Sequence, residues 1–216
     1  MTDTPVPDVK VAIATGCTHC PVVLSGLVEL VKQGRIGRME VVNIAQRPEF
    51  TRTEGIRSVP WLRMGPFELT GVHSQAELAE LATQALSEDG MIAYLRDRLD
   101  SGELDLVIKA CRRSPELLSP LLVLAGDLET PFAVRIGVGA VLEDLASDDL
   151  LADLVEDIAG LAASPHPQVR TDAAHFLSLT GNSAARTTLL QLSRDEDHQV
   201  RETATESLAE LDAEQI

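Results

Sequence analysis

Two cysteines three residues apart, in Gly16-Cys17-Thr18-His19-Cys20-Pro21, lie between an apolar run, Val9 to Ala14, and an amphipathic one, Val22 to Val31. The first run reads as a buried strand and the second as a helix, which puts the pair at a strand-to-helix junction. Thiols at that spacing in the first turn of a helix close a small disulfide ring and reopen it with little backbone movement. Cys17 is expected where unpaired backbone N–H groups and the positive end of the helix converge, lowering its pKa into the range of roughly 3.5–7.5. Cys20, a turn further in, is expected to be more buried and to act as the resolving thiol.

Other uses of such a pair compete with redox chemistry. A Cys-x-x-Cys can be half of a zinc site, but structural zinc takes four ligands and usually draws the second pair from a short spacing. Cys111 is solitary, and His73, His166, His175 and His198 are scattered without ligand spacing, so no metal ligands are assigned. A zinc or iron–sulfur site shared between two chains through Cys17 and Cys20 is a weaker form of that reading, and inert structural cysteines are a further one. Redox chemistry is the leading reading. Cys111 is expected to be a small core residue on an amphipathic helix, with exchange against the pair as its sharper alternative.

Charge is unevenly spread. Residues 1–88 carry 8 Lys/Arg against 10 Asp/Glu and residues 89–216 carry 10 against 24, so nearly all of the net charge of −16 belongs to the second part. That argues against a binder of nucleic-acid phosphate. It leaves an acidic surface whose ordinary meaning is solubility, with steering of basic partners as a second use. Trp61 and Tyr94 are the only aromatics besides four phenylalanines, so stacking platforms are missing too. The amino terminus has neither a basic n-region nor an apolar h-region, and no apolar run approaches the roughly 20 residues that cross a bilayer. A soluble, cytoplasmic protein without membrane contact is expected. In a reducing cytoplasm a cysteine pair is a catalytic or sensing device rather than a permanent staple.

In chain order the first part reads as the strand Val9 to Ala14, a helix to about Gln33 stopped by Gly34, and the strand Arg38 to Ile44. A short helix from Pro48 to Glu54 ends at Gly55, and strands Trp61 to Met64 and Phe67 to Thr70 flank Gly65-Pro66. Ser74 to Glu77 has the form of a capping box before a helix with Leu78, Leu81, Ala82 and Ala85 on one face.

These residues carry a family resemblance. The strand, the Cys-x-x-Cys at a helix start, a strand ending near Asn43-Ile44, the segment Ile56-Arg57-Ser58-Val59-Pro60 ending 43 residues after Cys17, and Gly71 together resemble the thioredoxin-like fold over roughly residues 8–88. The resemblance implies that Pro60 is cis and faces the disulfide, and that Val59 backbone groups pair with an extended peptide. Val59, Pro60 and Trp61 are accordingly the expected substrate-binding residues. His19, when protonated, stabilises the Cys17 thiolate and raises the reduction potential, and Thr18 is grouped with it as a tuning residue. The alternative for His19 is a solvated side chain without that role. Gly16 stands where thioredoxins have a tryptophan and Val11 where they keep a buried acid. Pro21 and the short Gly65-Pro66 turn are more similar to glutaredoxins and to the thioredoxin-like units that feed peroxide-reducing flavoenzymes.

From about Asp89 everything reads as helix: Met91 to Leu99, Leu104 to Arg112, and Leu117 to Ala125 after Pro115. Val134-Arg135, Val169-Arg170 and Val200-Arg201 then recur at intervals of 35 and 31 residues. Each has an aliphatic or small residue four on (Val138, Ala173, Ala204) and a leucine eight on (Leu142, Leu177, Leu208), which forms one helical stripe. Thr130-Pro131, Pro165-His166-Pro167 and Asp195-Glu196-Asp197 mark the helix starts, with partner helices at Leu150 to Ala163 and Ala184 to Ser193. Over about residues 115–216 this resembles HEAT-type repeats, stacked helix pairs whose cores exist only between neighbours. Arg135, Arg170 and Arg201 would form a structural row on neighbouring carboxylates or carbonyls. The third Val-Arg helix is expected to close the chain without its partner.

The expected fold class is an α/β thioredoxin-like fold (residues 1–88) followed by an all-α HEAT-like helical-repeat domain (residues 89–216). The expected function is thiol–disulfide oxidoreductase of the protein disulfide reductase type, with Cys17 as nucleophile, Cys20 as resolving thiol and no metal or organic cofactor. Its partner would be a protein or small-molecule disulfide or thiol, held by the helical repeats, with an electron donor that the sequence does not name. The alternative is a redox-sensing adaptor that is oxidised stoichiometrically and does not turn over.

Overall fold

Along the strand Val9–Ile13 (β1), Val9 and Val11 point to one face of a sheet and Ala12 to the other, the period of two that a strand imposes. The structure, a computed structural model, describes residues 5–213. After β1 come α1 (Cys20–Lys32), β2 (Met39–Asn43), α2 (Pro48–Glu54), β3 (Trp61–Met64), β4 (Phe67–Thr70) and α3 (Gln75–Gln84). The sheet order is β2-β1-β3-β4. β1 runs parallel to β2, from Val9 opposite Met39 to Ile13 opposite Asn43, a pairing that requires a crossover, which α1 supplies. β3 is antiparallel to β1, with Ala12 opposite Trp61, and to β4, with Met64 opposite Phe67.

The sheet is covered on both faces. Val9, Val11, Leu62 and Met64 meet Val23, Leu27 and Leu30 of α1 and Leu78, Ala79 and Ala82 of α3. Gly26 permits that approach, since a Cβ there would lie 3.0 Å from Leu78 Cδ1. On the opposite face Ala12, Ile56 and Trp61 form a smaller cluster with Ile44, Phe50 and Val59, flanked by an Arg63–Glu54 ion pair. The capping box is present: Ser74 Oγ accepts from the Glu77 amide at 3.3 Å, and Glu77 Oε2 accepts from the Ser74 amide at 2.7 Å. The Ser74 amide, and after it the Ser74 side chain, hold the Glu77 carboxyl below the usual carboxylate range.

The next helix is α4 (Glu88–Asp100), and the division between two compact units falls within it, between Tyr94 and Leu95. Tyr94 packs with the first unit, its ring stacked on Phe67 at 4.4 Å and its hydroxyl accepting from the Glu68 amide at 3.1 Å.

The second unit continues with α5 (Leu104–Arg113), α6 (Leu118–Gly126), α7 (Phe132–Leu145), α8 (Val155–Leu161), α9 (Pro167–Leu179), α10 (Ala185–Leu192) and α11 (His198–Ala213). Val134, Val169 and Val200 are buried, as are Val138, Ala173 and Ala204 four on, and Leu142 and Leu177 eight on. Leu208 departs from the stripe. It is half-buried, and Ser207 and Leu211 take the buried positions, because α11 packs on α9 and α10 and no later helix covers its far side among the described residues. The helix expected from Leu150 also begins late, at Val155, after Asp149 takes a left-handed φ of 55° and a 3-10 turn intervenes at Ala152–Leu154.

The arginine row is structural. Arg170 donates from Nε and Nη2 to Asp195, each at 2.8 Å, and from Nη1 to the Ser164 carbonyl at 3.0 Å. Arg201 donates to the carbonyls of Asp195 and Glu196 at 2.7 and 2.8 Å, and Arg135 pairs with Asp172. Arg170 and Asp195 side chains are only 8% and 11% exposed, and the guanidinium holds the Asp195 carboxyl below its ordinary range. Cys111 on α5 is fully buried and desolvation pushes its thiol up to about 12, so it is an inert core residue near neutral pH. No helix of the described residues is long and apolar enough to cross a membrane.

Candidate redox site

The site grows out of the end of β1. Ile13 is still held in the sheet, its carbonyl accepting from the Ile44 amide at 2.9 Å, and Thr15-Gly16 then turns the chain away. Gly16 has φ +81° with open space around a would-be Cβ, so the position asks for a left-handed backbone rather than a small side chain. The Cys17 amide donates to the Ala14 carbonyl at 3.1 Å and closes the turn.

Cys20 is the first residue of α1, His19 its N-cap and Pro21 the next residue, a place where a missing N–H costs nothing. Cys17 therefore sits just outside the helix. The two cysteines stand at disulfide distance, their Cα atoms 5.6 Å apart. Their surroundings differ: Cys17 is half-buried, whereas Cys20 is 3% exposed among residues that face the sheet. The Cys20 amide points at Cys17 Sγ from 3.2 Å. When the pair is reduced, that donor and the positive helix end both favour negative charge on Cys17. Thr18 and His19 are exposed between them.

The Val59–Pro60 bond is cis. The register that sets Ala12 opposite Trp61 puts this bond beside the C-terminal end of β1, the end from which the cysteine loop departs. Pro60 is buried, with its carbonyl accepting from the Gly71 amide at 2.9 Å, and Val59 is half-buried against the cluster of Ala12, Ile56 and Trp61. Trp61, the third residue expected to bind substrate, has a buried side chain. Its side chain is 1% exposed and edge-on to Phe50, and its backbone is paired on both sides, with Ala12 and with Thr70. Strand alternation puts Trp61 on the face of Ala12 and Ile56 and its neighbour Leu62 on the other.

Val11 is fully buried, and no carboxylate of the first unit is buried among the described residues. A proton on Cys20 therefore has no buried acid to serve it. Asn43 was not singled out by the sequence beyond ending a strand. Its amide donates to Thr15 Oγ1 at 3.1 Å while its Oδ1 accepts from the Ala45 amide at 3.0 Å, tying the turn before Cys17 to β2. An asparagine at a strand end was the available signal. Among the described residues no three His, Cys, Asp or Glu side chains gather as metal ligands.

Comparison with known families agrees with this geometry. Residues 7–83 match the family model described as a thioredoxin domain, and residues 158–215 match the model for HEAT repeats. The chain thus carries a thioredoxin-like domain followed by HEAT repeats. No curated protein matches it. The cysteine pair in such a domain supports a redox-related role, and the repeats suggest a protein-binding module.

Proposed function

We propose that the protein is a thiol–disulfide oxidoreductase. The observation that carries this reading is the asymmetry of the pair, with a half-buried Cys17 that accepts a backbone N–H and a buried Cys20 at disulfide distance behind it. Cys17 thiolate attacks one sulfur of a client disulfide, and the other client sulfur leaves as thiolate. Cys20, once deprotonated, attacks Cys17 Sγ, the second client sulfur leaves, and the Cys17–Cys20 disulfide forms. The client gains two electrons, and an external dithiol donor restores the pair. The same steps in reverse oxidise a client dithiol. Val59 backbone groups offer an extended client peptide its hydrogen bonds, and His19 tunes the potential from the exposed segment between the cysteines.

Trapping tests the reading. Cys20→Ser accumulates mixed disulfides with client proteins on non-reducing gels and Cys17→Ser does not; silence from both variants in extracts of the source cells excludes turnover. A redox-sensing adaptor is the second reading, favoured by the share of the chain given to repeats, and it would show stoichiometric oxidation with altered partner binding but no catalytic cycling.

A further inference from the structure

The helical unit has an exposed apolar feature that its own packing does not use. On α7, Phe132 and Ile136 are 76% and 56% exposed and stand four residues apart, on one stripe of the helix. The next turn of that stripe is Gly139 and Ala140, and a Cβ added at Gly139 would lie 3.9 Å from the ring of the buried Phe176 on α9. The result is a groove of about 490 Å³ across α7, α9 and α11, with Gln199 at the α11 side. A contiguous exposed apolar patch rimmed by polar residues is a mark of a binding surface, and here two large side chains share one stripe beside a recess.

The charge around the groove says what fits it. Residues 95–213 carry 10 Lys/Arg against 22 Asp/Glu, and Arg96, Arg98, Arg112, Arg135, Arg170 and Arg186 are each spent on a carboxylate. Arg135, the one Lys or Arg lining the groove, is held by Asp172. Glu143 lines it from α7 with one carboxylate oxygen 3.0 Å from His175 Nε2, and Glu202, 3.8 Å from His198 Nδ1, and Glu206, three and seven residues beyond Gln199, continue the α11 stripe toward the helix end. A second copy of this chain would bring the same acidic excess to the contact and be repelled.

We propose that this groove docks a basic amphipathic segment of a client protein, an apolar side chain seating against Phe132 and Ile136 while Lys or Arg meets Glu143, Glu202 and Glu206. This rests on the reading of the repeats as the module that holds a partner, and it names that partner's chemistry. Electrostatic attraction supplies the encounter, and the apolar anchor supplies residence.

The test uses the full chain and a labelled amphipathic Leu/Lys peptide, with a Leu/Glu peptide as counterpart, in a fluorescence anisotropy titration at near-physiological salt. The Leu/Lys peptide is expected to bind saturably and the Leu/Glu peptide not at all. Phe132→Ala with Ile136→Ala weakens binding at least about tenfold by removing the anchor surface. Both side chains are exposed, so a melting curve that matches the parent is expected. Glu143→Lys weakens binding as well, whereas Asp153→Lys, exposed and outside the groove, leaves it within about twofold at this ionic strength. Absence of Leu/Lys binding, or binding indifferent to the alanine pair, overturns the proposal. So does a dimer in light scattering that the alanine pair dissociates, since a second copy would then be the occupant. The readout needs no thiol: lost trapping with intact groove binding removes the redox reading alone, and intact trapping with groove-insensitive binding removes this one alone.

Discussion

Cys17 hangs from the end of a strand, on a turn pinned by Gly16 and Asn43, whereas Phe132 stands on the first turn of a helix with nothing packed over it. Around the sheet, the groups with chemical potential collect where strands end: the cysteine turn after β1, the cis peptide before β3, the Asn43 tether after β2. In the helical unit no loop plays that part. The same buried stripe recurs, arginine–carboxylate pairs tie α7 to α9 and α9 to the turn before α11, and what is distinctive lies along the groove of α7, α9 and α11. A sheet domain thus concentrates chemistry in a few replaceable atoms, while a repeat array spreads stability and recognition over many residues.

The sharpest contrast to test is therefore loss against attenuation. Cys17→Ser is expected to reduce disulfide turnover to the uncatalysed background while the far-UV melt of the helices stays where it was, as measured by an insulin-reduction assay beside circular dichroism. Asp195→Ala is expected to do the opposite. It takes the carboxylate from two of Arg170's N–H groups, leaving it the Ser164 carbonyl and Glu196, and costs the helical unit about 1.5–3 kcal/mol in urea unfolding, yet leaves the equilibrium of the cysteine pair with glutathione unchanged. A shift in that equilibrium would show that the two units are energetically joined.

Acid sharpens the same contrast. Asp195 has a folded pKa below its unfolded value, so the unfolded state binds the proton first and the pair's contribution is fully present above the unfolded pKa of about 3.8. It is lost as pH falls through the folded pKa. Helical stability measured against pH should therefore drop on the acid side of pH 4, and Asp195→Asn should flatten that drop. The smallest effect belongs to the first unit: Ser74→Ala removes the oxygen that receives the Glu77 amide and is expected to cost about 1 kcal/mol, with no change in helical unfolding.

Much of the first unit was legible because its signals are local and mutually consistent. Gly34 and Gly55 stop helices with positive φ, Ser74 and Glu77 satisfy each other across one turn, and Gly65-Pro66 sets a short hairpin. The cis bond at Pro60 came from the family resemblance, since a proline at a strand start has no local feature that selects the isomer. Sequence does not show that the Trp61 side chain is buried, because strand alternation sends neighbours to opposite faces and only the packing says which face is covered. In the helical unit, spacing revealed which residues face inward. It did not reveal Leu208, whose burial depends on a covering helix, or the Arg170–Asp195 pairing, which joins residues 25 apart with all of α10 between them. The exposed pair Phe132 and Ile136 reads in the sequence as two more apolar helix residues, and only the packing shows that they are turned outward.

Trp61 is the chain's one tryptophan and Tyr94 its one tyrosine, and both fall on the first side of the division between the units. Tryptophan and tyrosine emission consequently comes from the first unit, the second adding only the weak near-ultraviolet bands of Phe132 and Phe176, while peptide-bond ellipticity is dominated by the helices of the second. A single sample carries two separate optical channels, one for each half of the molecule, without any label having to be introduced.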